Sequence, residues 1–184
     1  MKKEIALDLS NRILNIGGVV LVTAKFGDRD NITPVAWNVP VSKEPPLVAV
    51  AIAPERFIYG LIEKSGEFGI NLPTREILKQ LYYCGRHSGR DVDKFEKTKL
   101  TRIKAKFISA PLIDECIANI ECKVEKIYPA GDHNLIIGRV LRAVVESDLF
   151  DDYLKVNLEK AKTVHHLGGN LFTIPDGIID VKKL

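Results

Sequence analysis

Between Ile120 and Glu125 the chain alternates residue by residue, with Ile120, Cys122 and Val124 set against Glu121, Lys123 and Glu125. A period of two fits a strand with one buried face and does not fit a helix. Tyr128 to His133 supplies turn residues, and Leu135 to Val145 is the expected hairpin partner. The same order of strand, turn and strand is written upstream. Ile16 to Ala24 is an apolar, β-branched run around a Gly-Gly pair. Gly27 to Asn31 is a polar turn, and Asn31 to Ser42 returns as a second strand. In that strand Pro34 and Pro40 mark an edge or a bulge. Leu47 to Ala53 is continuously apolar and is expected to be buried. Glu67 to Leu72 and the short Leu171 to Ile174 complete the strands.

Three segments suit helices. In Arg56 to Ser65, Phe57, Ile58, Leu61 and Ile62 share one face, and Gly66 suits a C-terminal stop. Thr74 can cap a second helix with Ile77, Leu78, Leu81 and Tyr82 inward. Asp148 to Val164 carries a third helical stretch. Arg86 to Asp93 is a polar loop dense in charge. Many strands in hairpin order with a few short helices predict a mainly β protein, an antiparallel barrel with peripheral helices. The alternation of a parallel sheet is missing, as are a G-x-G-x-x-G turn after a strand and a Walker A motif.

One domain is expected over residues 1–184, a length that supports a real core. Apolar content of 46% and charged content of 28% are globular values. A net charge of +3 fits an anionic small ligand as well as nucleic acid, so charge alone selects neither. No run approaches the roughly 20 apolar residues of a membrane span. The basic start at Met1 to Glu4 is followed by no long apolar stretch, so neither a membrane segment nor a signal peptide is expected. Three cysteines, an odd number, argue against a disulfide framework and for a reducing, cytoplasmic setting.

The chemistry concentrates between Asn31 and Arg56. A polar-aromatic strand (Ala36, Trp37, Asn38) is expected beside a small-residue apolar strand, a surface suited to a flat ring. Arg56 at a helix start suits an anion, because guanidinium forks onto phosphate oxygens and a helix N-terminus adds unpaired N–H groups. Together they suggest a planar heterocycle carrying a phosphate. The plainer readings are a core tryptophan and a solvated arginine paired with Glu55. Strand geometry puts only one of Trp37 and Asn38 on a given face. Ala51, Ile52 and Ala53 combine backbone amides with little bulk. Asn71 can cap a turn or meet a ligand. Ser88, Gly89 and Lys94 can close over anionic oxygens, with Asp91 and Asp93 shaping their loop. His133, in a turn after Gly131 and Asp132, can orient a ring or supply a proton, or simply face water. Cys84-x-x-His87 has the spacing of half a metal site, which His165 and His166 complete only if the fold brings them near. Cys116 and Cys122 read as buried apolar cysteines.

Four segments, in order, resemble the flavin reductase-like family of FMN-binding split-barrel proteins, the group of flavoredoxins and archaeal ferric reductases. They are N-I-T-P-V-A-W-N-V-P-V-S-K-E-P-P-L-V from Asn31, P-E-R-F-I-Y-G-L-I-E-K-S-G-E-F-G-I-N-L-P from Pro54, C-G-R-H-S-G-R-D-V-D-K-F from Cys84 and G-D-H-N-L-I-I-G-R-V from Gly131. The match runs roughly from Ile16 to Ile174. The resemblance implies a split barrel and a homodimer with FMN in a groove at or near the subunit interface. It implies reduction of that flavin by NADH or NADPH, and passage of electrons to a small acceptor or a redox protein. It carries flavin contacts onto Ala36, Trp37, Asn38 and Val39, onto Ala51, Ile52, Ala53, Arg56 and Phe57, and onto Asn71, Ser88, Gly89 and Lys94. His133 is then expected to tune rate, since hydride transfer is the cofactors' own chemistry. One departure stands out. The family often has a hydroxyl residue two positions after the arginine, and here that place is Ile58.

Three rival readings remain. One is an electron carrier of flavoredoxin type, reduced by a protein partner. Another is a pyridoxamine-phosphate oxidase relative, which needs a second phosphate cluster beyond Arg56 and the Arg86 to Lys94 loop. The last is a barrel for single-stranded nucleic acid. That use needs exposed aromatics along a basic groove, whereas aromatics make up 7% here and sit mostly in apolar runs, so neither nucleic acid nor membrane is expected as a partner.

Overall fold

A computed structural model describes residues 6–7, 10–14 and 17–183. Its centre is an antiparallel sheet of seven strands: β1 (Val20–Phe26), β2 (Arg29–Val35), β3 (Asn38–Ser42), β4 (Leu47–Ile52), β5 (Glu67–Leu72), β8 (Ala118–Ala130) and β9 (His133–Val145). Their order is β2-β1-β5-β8-β9-β4-β3. Two small hairpins accompany it, β6 (Arg102–Ile103) with β7 (Leu112–Ile113), and β10 (His165–Gly168) with β11 (Leu171–Thr173). The helices are α1 (Asn11–Leu14), α2 (Phe57–Ser65), α3 (Leu78–Arg86) and α4 (Lys94–Thr98). Strand outweighs helix, 42% against 21%, and the fold is a split antiparallel barrel.

Strand β1 shows why its sequence runs apolar without alternation. Val20, Val22 and Ala24 face the core under α2, whereas Leu21 and the preceding Val19 face a second core under α3 and α4. A strand covered on both faces has no solvent side to alternate with. The strand begins at Val20, and Ile16 lies outside the described residues. Its turn to β2 is tighter than expected, with Gly27 and Asp28 alone between the strands. Among the described residues strand β2 pairs only with β1, which explains how it accepts Pro34, a residue that cannot donate to a second neighbour.

The stretch from Asn31 to Ser42 is not one strand. It breaks at Ala36 and Trp37, and the chain crosses there from β2 to β3, the two edges of the sheet. Trp37 O accepts from Ala51 N at 2.9 Å and ties the crossing to β4. Asn38 Nδ2 donates to Gly18 O and Val35 O at 2.8 and 3.0 Å, closing the bend.

Helix α2 forms as its spacing predicts. It buries Ile58, Tyr59, Leu61 and Ile62, each worth about 1.5–3 kcal/mol when fully covered, and stops at Gly66, whose φ of 68° is left-handed. Thr74 caps no α-helix; it precedes a 3₁₀ turn (Arg75–Ile77), and α3 follows with Leu81 and Cys84 buried. Asp148 to Val164 is not an α-helix. It is a run of turns ending in a short 3₁₀ segment (Glu159–Ala161). Leu149 and Ala161 both bury beside Ile117, and their contacts override the segment's helical propensity.

Glu121 departs furthest from its expected solvent position. Ile120, Cys122 and Val124 keep to the core under α2, and Glu121 alternates to the opposite face, where the segment of Lys106 and Phe107 covers it and leaves it 0% exposed. Its carboxylate accepts from Lys106 N, from Phe107 N and from Arg142 Nη1. Burial alone would raise its pKa, but the Phe107 and Lys106 amides and the Arg142 guanidinium hold it below the usual carboxylate range.

Candidate functional site

A cavity of about 730 Å³ opens along the free edge of β2. Its walls come from β2, the Ala36–Trp37 crossing, the end of β4, the start of α2, the loop after α3, and the β10–β11 hairpin. The split places it, because among the described residues β2 has no strand partner on this side and the chain must leave that edge to reach β3.

One end is built for an anion. Arg56 is the N-cap of α2, with extended backbone and no side-chain cap, so the first N–H groups of the helix have no side chain to satisfy them. Its one ion pair among the described residues, to Glu55 at 3.8 Å, is long and exposed, and such pairs hold an arginine weakly. Lys94 is 4% exposed, and its Nζ donates to Ile32 O and Cys84 O, each at 2.7 Å. An ammonium has three donors, so one remains at the cavity wall. Burial pulls this lysine down to about 8; Cys84 offsets that in part and Arg56 adds to it. Ile58 is fully buried in the core, so the position that often carries a hydroxyl contributes none here.

The loop after α3 is clasped onto this end. Arg29 and Arg90 flank the Phe57 ring, their guanidinium carbons 5.0 and 5.7 Å from its centroid. Arg29 Nη2 donates to Gly89 O, and Arg90 Nη2 donates to Glu55 O, both at 2.8 Å. Gly89 is required there, since an added Cβ would lie 2.2 Å from Asn31 Oδ1. Ser88 Oγ accepts from Arg90 N at 3.1 Å, so its hydroxyl shapes the loop. Asp93 caps α4 by accepting from Glu96 N and binds Arg102.

At the mouth, Trp37 is 40% exposed and its ring lies 4.7 Å from that of His133, tilted 45°. His133 sits at the start of β9, after a turn of only Gly131 and Asp132. Its Nδ1 meets Asp132 Oδ1 at 2.8 Å, and the imidazole's hydrogen bond and proximity hold the Asp132 carboxyl below its usual range. The β4 end gives small side chains at Ala51 and Ala53. The Ala51 amide itself is taken by Trp37 O.

The structure thus brings Ala36, Trp37, Ala51, Ile52, Ala53 and Arg56 to one cavity, together with Phe57, Ser88, Gly89, Lys94 and His133. Three expected contacts lie elsewhere. Asn38 turns its amide into the bend, and Val39 is exposed on β3. Asn71 is wholly buried: its Nδ2 donates to Leu21 O and Thr23 Oγ1, and its Oδ1 accepts from Ile113 N and Asn119 Nδ2. Its amide has no capacity left for a ligand. Among the described residues no group of three His, Cys, Asp or Glu could hold a metal; Cys84 is buried, and His87 stacks on Tyr83 at 3.8 Å.

Residues 14–163 match the family model described as flavin reductase like domain. The chain belongs to this family. A protein of Archaeoglobus fulgidus is 38% identical over 146 residues, covering 79% of this chain and 81% of the relative. Among solved structures, the flavoredoxin of Desulfovibrio vulgaris (Miyazaki F) is 25% identical with a TM-score of 0.86, over 98% of this chain and 96% of that one. The FMN-binding protein from Thermus thermophilus with bound 1-cyclohex-2-enone is 25% identical with a TM-score of 0.84, over 98% of both chains. In this flavin reductase like domain, some cavity residues had no signal in the sequence. Arg90 reaches Glu55 across 35 residues of chain, Arg29 supports the loop from outside the cavity by reaching Gly89 across 60, and Tyr82, His166 and Phe172 are scattered through helix and hairpin segments.

Proposed function

We propose that this chain binds FMN in the cavity beside β2 and acts as an NAD(P)H-dependent flavin or ferric reductase. The observation that carries the reading is the anion end, where Arg56 at an uncapped helix start and the buried ammonium of Lys94 line the same cavity as Trp37 and the small side chains of Ala51 and Ala53. That combination fits a flat ring with a phosphate tail. When bound, the flavin supplies hydride exchange with a nicotinamide and delivery of electrons to a second acceptor.

The residues of the chain bind, orient and shield. Arg56 and Lys94 hold the phosphate, and the Ser88–Gly89 loop, fixed by Arg29 and Arg90, keeps that end closed. Trp37 and the β4 end give the ring its surface. At His133 the Nδ1 faces Asp132; a carboxylate only accepts, so Nδ1 carries the hydrogen and Nε2 is the atom that exchanges a proton.

The same reading includes a homodimer with the groove near the interface. The edge strand β3 supports it, because its Val39 and Val41 are 52% and 48% exposed. Three free, buried thiols suit a reducing, cytoplasmic setting, and no helix among the described residues is long and apolar enough to cross a membrane.

The test is an absorption spectrum of FMN-loaded protein, recorded anaerobically before and after NADH and NADPH. Bleaching of the flavin band with either nucleotide is expected and names the donor. A band that stays oxidised with both refutes the nucleotide-dependent activity in favour of a carrier reduced by a protein partner, for which the likeness to flavoredoxin speaks. No flavin band after added FMN overturns the flavoprotein reading.

A further inference from the structure

We propose that the side of the cavity built by α3 and the β10–β11 hairpin seats the second substrate, and that this substrate is a planar ring carrying an anionic group. The proposal rests on the FMN reading and names what else that site takes.

The first observation is a wall of rings. Tyr82 on α3 and Phe172 on β11 meet edge to face, with centroids 6.5 Å apart, and His166 on β10 lies 5.0 Å from Phe172 at 44°. Tyr82 OH donates to Asn170 Oδ1 at 2.6 Å and latches the hairpin onto α3. All three rings line the cavity, and Tyr82 and Phe172 are only partly buried, so these two keep a face or an edge for another ring. None of them belongs to the expected flavin contacts.

The second observation is charge. The cavity walls carry Arg12, Arg56, Arg86, Arg90 and Lys94 against one carboxylate, Glu55. A phosphate monoester brings about two negative charges, and Arg56 with Lys94 answers it. Arg90 is committed to Glu55 O. Arg12 and Arg86 remain, and neither forms an ion pair with another described residue. Arg12 rests on the hairpin itself, since a Cβ built on Gly168 would lie 3.0 Å from its Nη1. Arg86 closes the last turn of α3, one turn beyond Tyr82. Two cations beside three rings recognise a ring by its face and an acid by its charge.

Two sources share this chemistry, a pyridine nucleotide donor with its phosphates and an aromatic acid. Both arms of the test use FMN-loaded protein. Anaerobic stopped-flow reduction gives an apparent Kd for NADH and NADPH. Perturbation of the flavin spectrum gives a Kd for 4-hydroxybenzoate, with uncharged 4-hydroxybenzamide as control. Phe172→Ala and Arg12→Glu are each expected to raise the Kd of the cavity's ligand by about tenfold or more, leaving the Kd for FMN unchanged. A rise in the nucleotide arm assigns the wall to the donor, and a rise confined to 4-hydroxybenzoate assigns it to an aromatic acid. Arg12→Glu should leave 4-hydroxybenzamide unmoved. Both ligands unaffected by both variants would overturn the proposal; so would an equal loss of benzoate and benzamide in Arg12→Glu. Arg12 is exposed, so its variant stands even if Phe172→Ala fails to fold. Wild-type protein that fails to take up FMN would break the earlier reading instead, before either arm begins.

Discussion

Asn71 and Lys94 each bury a polar side chain among the first strands, 0% and 4% exposed, and both come from segments that suggest ligand contacts. Asn71 spends its whole amide inside the fold, on Leu21 O, Thr23 Oγ1, Ile113 N and Asn119 Nδ2. Lys94 satisfies two of three donors on backbone carbonyls and sits on a cavity wall with cationic neighbours. A buried polar group that is fully satisfied holds the protein together, and one with capacity left beside a cavity is poised for a ligand. Glu121 belongs with Asn71, since two amides and Arg142 use its oxygens.

That division can be broken by mutation, and the largest effect is expected at Asn71. Asn71→Ala strands a donor and acceptors in the core, each costing about 1–3 kcal/mol, so a loss of about 3 kcal/mol or more is expected in denaturant unfolding. The folded fraction should bind FMN as the wild type does. Loss of FMN affinity with stability intact would put Asn71 back at the site. Glu121→Gln should lose about 2–3 kcal/mol, because Arg142 is left without its charge partner. The pKa of Glu121 is lower in the folded state than in the unfolded chain, so its stabilisation is present above the usual carboxylate range. It drains away as pH falls through that range, and an unfolding series from pH 6 to about 3 should be flatter in the variant.

Lys94→Met sharpens the comparison from the other side. Its stability loss should be smaller, about 1–2 kcal/mol, while the Kd for FMN rises about tenfold or more. The wild-type affinity should be highest below pH 8, with the ammonium charged, and should fall as pH rises through about 8. For folding the sign is reversed. The folded value near 8 lies below the ordinary lysine value, so the unfolded chain binds more protons between the two, and stability rises with pH across that window. A flat FMN affinity from pH 6 to 10 would remove Lys94 from the site. The smallest effect is expected at His133. His133→Ala should leave FMN affinity within about twofold and slow flavin reduction by about tenfold or less, since the ring tunes a proton and not the hydride.

Much of this architecture is legible in the residues, because local pattern and tertiary burial agree. Helix α2 with its Gly66 stop and strand β5 lie where periodicity and punctuation put them. Where they disagree, packing wins. The alternation around Ile120 holds, with Ile120, Cys122 and Val124 on the core face, but the face of Glu121 is covered by the chain at Lys106 and Phe107, and no local pattern announces that cover. The break at Trp37 depends on Ala51 N and Gly18 O, backbone partners that composition does not encode. Much of the candidate cavity comes from contiguous motif segments, such as Ala36–Trp37, Ala51–Phe57 and Ser88–Gly89. The Arg29 and Arg90 clasp and the ring wall are assembled from residues far apart in the chain, and so only the fold displays them.

The central claim is that the cavity beside β2 is an FMN site with Arg56 at its phosphate end. Calorimetric titration of FMN into the protein, wild type beside Arg56→Glu, tests it most directly. The account predicts one FMN per chain for the wild type. It predicts a Kd about a hundredfold weaker in the variant, whose carboxylate meets the phosphate, with an unchanged unfolding curve. Equal affinity in the two proteins, or no binding by the wild type, would contradict it.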